Sequence, residues 1–479
     1  MNIVMITGEC LPFSKTGGLG DVCYSLSKEF VKNKHNVSVF VPFYKKFDFN
    51  KYKEIEKVFT FPVNMGWRKP FANIFKLKYD GIDFYFIQND YYFSRNGMYG
   101  YPDDGERYAF FNVASVTLLS LLDFKVDVCH VHDWQAGMIP CILKENFASD
   151  PKLNKIKTVL TIHNPLFKGY INRESLSDLL NLNTYLFDSG KVRFENQVSF
   201  LKAGIVYSDK ITTVSPTHAW ELTTKEGSKG LWYDLTLRKE DFVGILNGMD
   251  QDEFNPQTDK TIYKTYNEED FSVNKLKNKT AFCKEHNLDP KLPLYSVVSR
   301  LTSQKGLDLI YAMAEYVVTH NGNFAILGSG ERDGEESFNH LVRTYPKNTF
   351  VYIGYNDEIA HKLYASSDFF IMPSAFEPCG LGQMIAQRYG TLPIVRQTGG
   401  LKDSVICYKE SEKNQAKANG FGFEDYNKMV AMKEVAITLD LYENKPDLIN
   451  QLVANAFKTD NSWVKSAKQY LKLYKLIEK

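Results

Sequence analysis

The stretch Glu377-Pro378-Cys379-Gly380-Leu381-Gly382-Gln383 joins a carboxylate to a run of backbone amides. It follows the hydrophobic run 369–372 and precedes a helical pattern carrying Met384, Ile385 and Tyr389, so it reads as strand, loop, helix. Open α/β sheets bind ligands outside the carboxyl ends of their strands. A helix N-terminus there offers N–H groups and partial positive charge. A carboxylate that accepts from sugar hydroxyls, beside amides that donate to them, can hold a hexose. Alone, such a loop is equally a plain turn, and three further segments change that reading.

Near the N-terminus, Lys15-Thr16-Gly17-Gly18-Leu19-Gly20-Asp21 lies between a strand and a helix. Glycines let backbone approach a ligand, amides can cradle phosphate, and Lys15 supplies charge. The loop fits neither the dinucleotide fingerprint nor the Walker A pattern. Ser299-Arg300-Leu301-Thr302-Ser303-Gln304-Lys305-Gly306 again follows a strand directly. Arg300 and Lys305 there could neutralise most of the charge on a departing diphosphate without a metal. The third segment is Val131-His132-Asp133-Trp134-Gln135-Ala136-Gly137, with Ile162-His163-Asn164 about 30 residues on. His130, His132 and Asp133 suggest a metal, but strand neighbours point to opposite faces and no further ligand cluster accompanies them. Asp, His and Asn at strand ends suit sugar hydroxyls better, so neither metal nor cofactor is expected. Leu327-Gly328-Ser329-Gly330-Glu331 only imitates a dinucleotide loop and reads as a structural turn.

The elements that must position these groups alternate β and α. Strands are expected at 3–7, 37–41, 126–131, 158–162 and 210–214, and a helix after Asp21 carries Val22, Leu26 and Phe30. The aromatic segment 83–101 reads as a decorated hairpin or loop. A second alternation has strands at 294–299, 324–327, 349–353, 369–372 and 393–395, with helices over 306–319 and 358–366. This pattern predicts α/β architecture with two doubly wound, Rossmann-like halves facing across a cleft. The expected domains are 1–245 and 246–455. Residues 456–479 form a closing helix, with Trp463, Ala467, Tyr470, Leu471, Tyr474 and Ile477 on one face, that crosses back to the first domain. The Lys/Asn-rich segment 409–419 reads as a surface loop.

With 479 residues and 44% hydrophobic content, the chain can build two substantial cores. A formal charge of +1 gives no general electrostatic footprint for nucleic acid. No window supplies about 18 consecutive apolar residues, so no membrane span is expected. Seven scattered cysteines without a CxxC pair, and an opening run without a basic leader, predict a soluble cytoplasmic protein.

Taken in order, these motifs closely resemble bacterial glycogen synthases and plant starch synthases. Phe200-Leu201-Lys202-Ala203-Gly204-Ile205, Gly244-Ile245-Leu246-Asn247-Gly248-Met249-Asp250, Arg388-Tyr389-Gly390-Thr391 and Thr398-Gly399-Gly400-Leu401 extend the match along essentially the whole chain. The resemblance implies a retaining glycosyltransferase of the two-Rossmann-domain (GT-B) type. Such enzymes move glucose from ADP-glucose to the non-reducing 4-OH of an α-1,4-glucan without a required metal. By that resemblance, Lys15 and the amides of Gly17 and Gly18 meet diphosphate and glucose, and Arg300 and Lys305 neutralise the leaving ADP. Glu377 holds the donor glucose with the amides of Cys379, Gly380 and Leu381. His163 lies against the transferring sugar, Asp133 and Asn164 belong to the acceptor side, Tyr355 stacks on adenine, and Asp21 and Asn247 line the glucose pocket.

Two places depart from the family pattern, and a third departs only from that of related transferases, as is common in this subgroup. Gln135 stands where His is usual, 165–168 replaces an aliphatic-Ala-Tyr-Gln run, and Ile385 occupies the second acidic place of the E-x7-E pattern of related transferases. The first two bear on the acceptor side. A transferase using UDP-glucose, or building another α-glucan or maltosyl product, is the alternative within the class. A non-catalytic α-glucan-binding regulatory protein is the alternative outside it, and the presence of Glu377, Arg300 and Lys305 argues against that.

Overall fold

The computed structural model describes residues 1–48, 51–410 and 416–478, so 411–415 of the expected 409–419 loop lie outside the described residues. The chain divides into two compact units, Met1–Asn247 with Trp463–Lys479, and Gly248–Ser462.

In the first unit the strands are β1 (Asn2–Ile6), β2 (Asn36–Pro42), β3 (Glu56–Pro62), β4 (Phe71–Tyr79), β5 (Ile82–Gln88), β6 (Val128–His132), β7 (Lys157–Ile162), β8 (Tyr170–Ile171), β9 (Arg193–Phe194), β10 (Gln197–Ser199), β11 (Lys210–Thr213) and β12 (Phe242–Gly244). Nine of them form one sheet in the order β12-β11-β7-β6-β1-β2-β5-β4-β3, while β8, β10 and β9 make a small separate sheet. Pairing is parallel from β12 to β5 and antiparallel at β4 and β3. Both faces of the parallel part are covered, as such sheets require. Along β1, Val4 and Ile6 enter one core, and Ile3 and Met5 enter the other.

The segment 83–101 corrects the sequence reading. Its first part is β5, a full member of the sheet, bonded parallel to β2 and antiparallel to β4. The β4–β5 turn puts Asp80 (φ 49°) and Gly81 (φ 78°) in the left-handed region, as a tight hairpin requires. Phe84, Tyr85 and Phe86 are consecutive and buried because β5 is covered on both faces, so no alternation betrays it as a strand.

The helix Trp463–Glu478 lays Trp463, Ala467, Tyr470, Leu471 and Tyr474 into the same core as Leu26 and Phe30 of the helix Gly18–Lys32. The residues from 456 expected to begin this return instead end another helix, Pro446–Lys458, in the second unit. Phe457 anchors that end by packing edge-on against Tyr266, and Asn461 bonds Gln387 at 2.7 Å.

The second unit holds β13 (Leu294–Val298), β14 (Asn323–Gly328), β15 (Thr349–Ile353), β16 (Phe369–Met372), β17 (Leu392–Arg396) and β18 (Phe421–Phe423). They are parallel throughout, in the order β15-β14-β13-β16-β17-β18. Counted from β13 this is 3-2-1-4-5-6, the order of a Rossmann sheet, and the topological switch lies between β13 and β16. The corresponding switch in the first unit lies between β1 and β6. No helix among the described residues is long and apolar enough to cross a membrane.

Candidate active site

The sequence motifs fall on the loops that leave these switch points. In the second unit, the strand β13 feeds Ser299–Lys305 and β16 feeds 373–381. Lys305 ends a short 3-10 turn, Ser303–Lys305, and its Nζ lies 2.5 Å from Glu377 Oε2. The Ser374 hydroxyl donates to the same oxygen at 3.0 Å. The two charged side chains are 15% and 8% exposed, so the pair is nearly out of water.

The loops are stitched together by backbone. Ala375 N donates to Gln304 O at 2.8 Å. Gly306 (φ 76°) turns the chain into the helix Leu307–Thr319, where a Cβ would come within 2.5 Å of the Pro373 carbonyl. Arg396 at the end of β17 donates to the carbonyls of Ser374 and Ala375. From the other side, Gly400 N donates to the Glu377 carbonyl at 3.1 Å. Gln383 Nε2 holds the carbonyls of Cys379 and Gly380 at 3.1 Å each, and Gly380 takes φ 74°. Carbonyls of 374–380 are therefore turned into the protein. Arg300 is exposed beside this loop's partner strand. Tyr355, just beyond β15, is 83% exposed, with its hydroxyl on Asp357 Oδ1 at 2.8 Å. The imitation dinucleotide loop is structural: Leu301 N donates to Ser329 O at 2.8 Å, and a side chain on Gly328 or Gly330 would collide with the backbone of 299–301.

In the first unit, β1 runs into Glu9, which the sequence reading did not single out. The Glu9 carboxylate is buried and accepts from Thr16 N, Thr16 Oγ1 at 3.0 Å, Gly17 N at 3.3 Å and the Tyr99 hydroxyl at 3.3 Å. Burial raises its pKa, and these donors oppose the rise. Glu9 thus sets the shape of the glycine loop, while Lys15 Nζ pairs with Asp21 Oδ1 at 2.7 Å. A Cβ on Gly17 or Gly18 would meet nothing within 4 Å, and neither has a positive φ. Protein packing therefore does not require glycine at either position.

From β6, Asp133 takes an unusual backbone conformation (φ 51°, ψ −163°) that turns its carboxylate onto the next loop. It accepts from His163 N at 2.7 Å and Asn164 N at 3.4 Å, and burial pushes it up to about 7. Asn164 Oδ1 receives Leu166 N at 3.0 Å. His163 Nε2 meets His132 Nδ1 at 3.0 Å, and burial pushes His163 down to about 3. Asn247, where the chain first leaves this unit, donates its N–H to the Val214 carbonyl at 3.2 Å and keeps a buried Oδ1 without a partner. Glu9 escaped the sequence reading because a lone acid after a strand has no distinctive spacing. Its signal was proximity to the glycine loop, seven residues away.

The departures have physical substitutes. Gln135 is buried with its stem against Gly8, where a Cβ would lie 2.8 Å from Gln135 Cγ. In 165–168, Lys168 is buried over the Phe194 ring at 4.9 Å and donates to Pro165 O at 3.0 Å, while Leu166 and Phe167 are exposed. Among the described residues no group of three or more His, Cys, Asp or Glu side chains could hold a metal ion. All seven cysteines are free thiols.

Residues 2–236 match the family model for the starch synthase catalytic domain, and 278–459 match the model for glycosyl transferases group 1. Glycogen synthases from Lactococcus lactis and Clostridioides difficile are each 42% identical to the chain, with 99% of both sequences covered in each case. Among solved structures, the catalytic domain of starch synthase IV from Arabidopsis thaliana, bound to ADP and acarbose, superposes with a TM-score of 0.91 at 31% identity, covering 99% of each chain. A sucrose-phosphate synthase from Thermosynechococcus elongatus shares the fold at a TM-score of 0.58 and 15% identity, covering 99% of this chain and 98% of that one.

Proposed function

The chain belongs to the glycogen synthase and starch synthase family of glycosyltransferases, and on that premise we propose that it transfers glucose from ADP-glucose to the non-reducing 4-OH of an α-1,4-glucan with retention of configuration. The observation that carries the reading is the Lys305–Glu377 pair at the β13/β16 switch point, 2.5 Å apart and nearly buried. A carboxylate so held can accept from hexose hydroxyls, and the ammonium beside it can follow the charge that develops on a departing phosphate.

In this reading Glu377 and the amides of Cys379, Gly380 and Leu381 fix the donor glucose. Arg300 and Lys305 stabilise the leaving diphosphate, and Tyr355 stacks on the base. In the first unit, Lys15 and the amides of Gly17 and Gly18 meet the diphosphate and sugar, with Asp21 and Asn247 around the glucose. His163 lies against the transferring ring, and Asp133 holds the His163–Asn164 loop on the acceptor side. The bond from the anomeric carbon to the diphosphate oxygen breaks as the acceptor 4-OH oxygen attacks on the same face. The hydroxyl proton passes to the departing phosphate oxygen, giving ADP and a glucan longer by one unit. No side chain needs to act as a nucleophile.

The test is glucose incorporation from ADP-glucose and UDP-glucose, side by side, onto glycogen and maltooligosaccharides. Strong transfer from ADP-glucose is expected. Transfer from UDP-glucose alone would overturn the nucleotide assignment. No transfer from either, with glucan still bound, would leave a binding protein and point to 165–168.

A further inference from the structure

Three imidazoles stand in a row inside the first unit. His130 and His132 are two apart on β6 and so share a face, and their rings lie 4.2 Å apart. His132 Nδ1 faces His163 Nε2 at 3.0 Å. Burial pushes His130 and His163 down to about 3 and holds His132 well below the usual imidazole range, so all three are neutral and each carries one N–H.

Neutral rings make the position of each proton a bookkeeping question that the partners answer. His132 Nε2 is buried with no partner. If His163 Nε2 carried the hydrogen, His132 would hold its own on Nε2, an orphaned buried donor. If His132 Nδ1 carries it, Nε2 is left as an empty acceptor, which is less costly. The second arrangement puts the His163 hydrogen on Nδ1, which has no hydrogen-bond partner among the described residues.

We propose that His132 is a positioning residue for the transfer: by donating from Nδ1 to His163 Nε2 it holds His163 in the Nδ1–H tautomer, as a hydrogen-bond donor to a hydroxyl of the transferring sugar. The His132 ring is itself fixed by His130, which the returning C-terminal helix clamps. Tyr474 OH meets His130 Nδ1 at 2.6 Å, and the Tyr470 ring lies 5.5 Å from the His130 ring. On its other side His130 Nε2 meets Thr161 Oγ1 at 2.6 Å, Thr161 meets Thr212 Oγ1 at 2.6 Å, and Thr212 reaches the Leu160 carbonyl at 3.4 Å. That carbonyl can only accept, so the chain runs one way, from the Tyr474 hydroxyl through His130 Nε2–H to Leu160. The clamp therefore has one proton arrangement as well as one geometry.

The sugar contact rests on the proposed function, whereas the tautomer does not. Selective 15N-histidine labelling of the full chain, assigned with His163→Asn, reads the tautomer directly. Wild type should show His163 protonated at Nδ1, and an Nε2–H tautomer there would overturn the proposal whatever the enzyme transfers. Replacing His132 by Leu should shift His163 towards Nε2–H and lower kcat for glucosyl transfer about tenfold to a hundredfold, with little change in KM for the acceptor. His132→Asn, whose amide nitrogen replaces Nδ1, should hold the tautomer and stay within about threefold of wild type. Equal losses in both variants, with the tautomer unmoved, would reduce His132 to packing. Failure of wild type to transfer glucose from any donor would sink the functional reading and leave the tautomer measurement standing.

Discussion

Replacing Lys305 by Ala perturbs two quantities that the structure lets one separate. The ammonium sits 2.5 Å from Glu377 Oε2, in a pair whose members are 15% and 8% exposed. Its loss leaves a buried carboxylate with the Ser374 hydroxyl as remaining side-chain donor. Breaking one partner of a buried pair costs about 3–5 kcal/mol, and the surviving hydroxyl argues for the lower end, about 3 kcal/mol. For a unit of this size each kcal/mol moves the melting temperature by roughly 2–4 °C, so the second unit should melt roughly 6–12 °C lower. Independently, removing one preorganised charge from the transition state should lower kcat about 10²–10³-fold. Adding Glu377→Gln to Lys305→Ala removes the stranded charge. The double variant should therefore regain more than half of the lost stability while remaining inactive. Calorimetry and initial rates with ADP-glucose at saturating glycogen measure the two effects. A Lys305→Ala enzyme that keeps kcat within about tenfold of wild type, or a double variant no more stable than the single, would refute the reasoning.

Gly17→Ala should melt within about 1 °C of wild type, because the added Cβ meets nothing within 4 Å, yet raise KM for the donor about tenfold by intruding on ligand space; a normal KM would free that space of substrate. Tyr355→Ala should raise donor KM roughly five- to 150-fold, the worth of one stacked base, without affecting the fold, since the ring is 83% exposed. Equal loss for the acceptor would contradict a role on adenine. The buried pair of His361 and Asp259, 2.7 Å apart, has a testable sign. Burial opposes the charge on His361, but the bond to Asp259 outweighs it, so its pKa is raised, while Asp259 is held well below the usual carboxylate range against the cost of its own burial. The His361 contribution is fully present below its unfolded value, about 6.5, and fades as pH rises through the folded one. The Asp259 contribution fades only in strong acid. Asp259→Asn should therefore cost more stability in urea melts at pH 6 than at pH 9, and equal costs would disprove the linkage.

The sequence by itself determined the family, the α/β alternation of most strands and helices, and the loops proposed to form the site. Each depends on local spacing: a short, mostly apolar run such as Leu294–Val298, bounded by loops and helical patterns, reads as a buried strand. The face of the C-terminal helix was legible too, because Trp463, Ala467, Tyr470 and Tyr474 recur at helical spacing. Sheet membership was less so. Strand β5 is buried on both sides and shows no alternation, and β3 and β4 are defined by the strand they pair with.

At the site, the sequence supplied Lys305 and Glu377 but not their meeting, 72 residues apart, which follows from β13 and β16 lying side by side. It offered no distinctive spacing for Glu9, whose importance is that Thr16, Gly17 and Tyr99 all turn donors towards it. Nor could it place His130, His132 and His163 in one row, clamped by a tyrosine 344 residues away. Hydrogen bonds and ion pairs depend on distances of about 3 Å between groups remote in sequence, and only the packing of whole elements decides those distances.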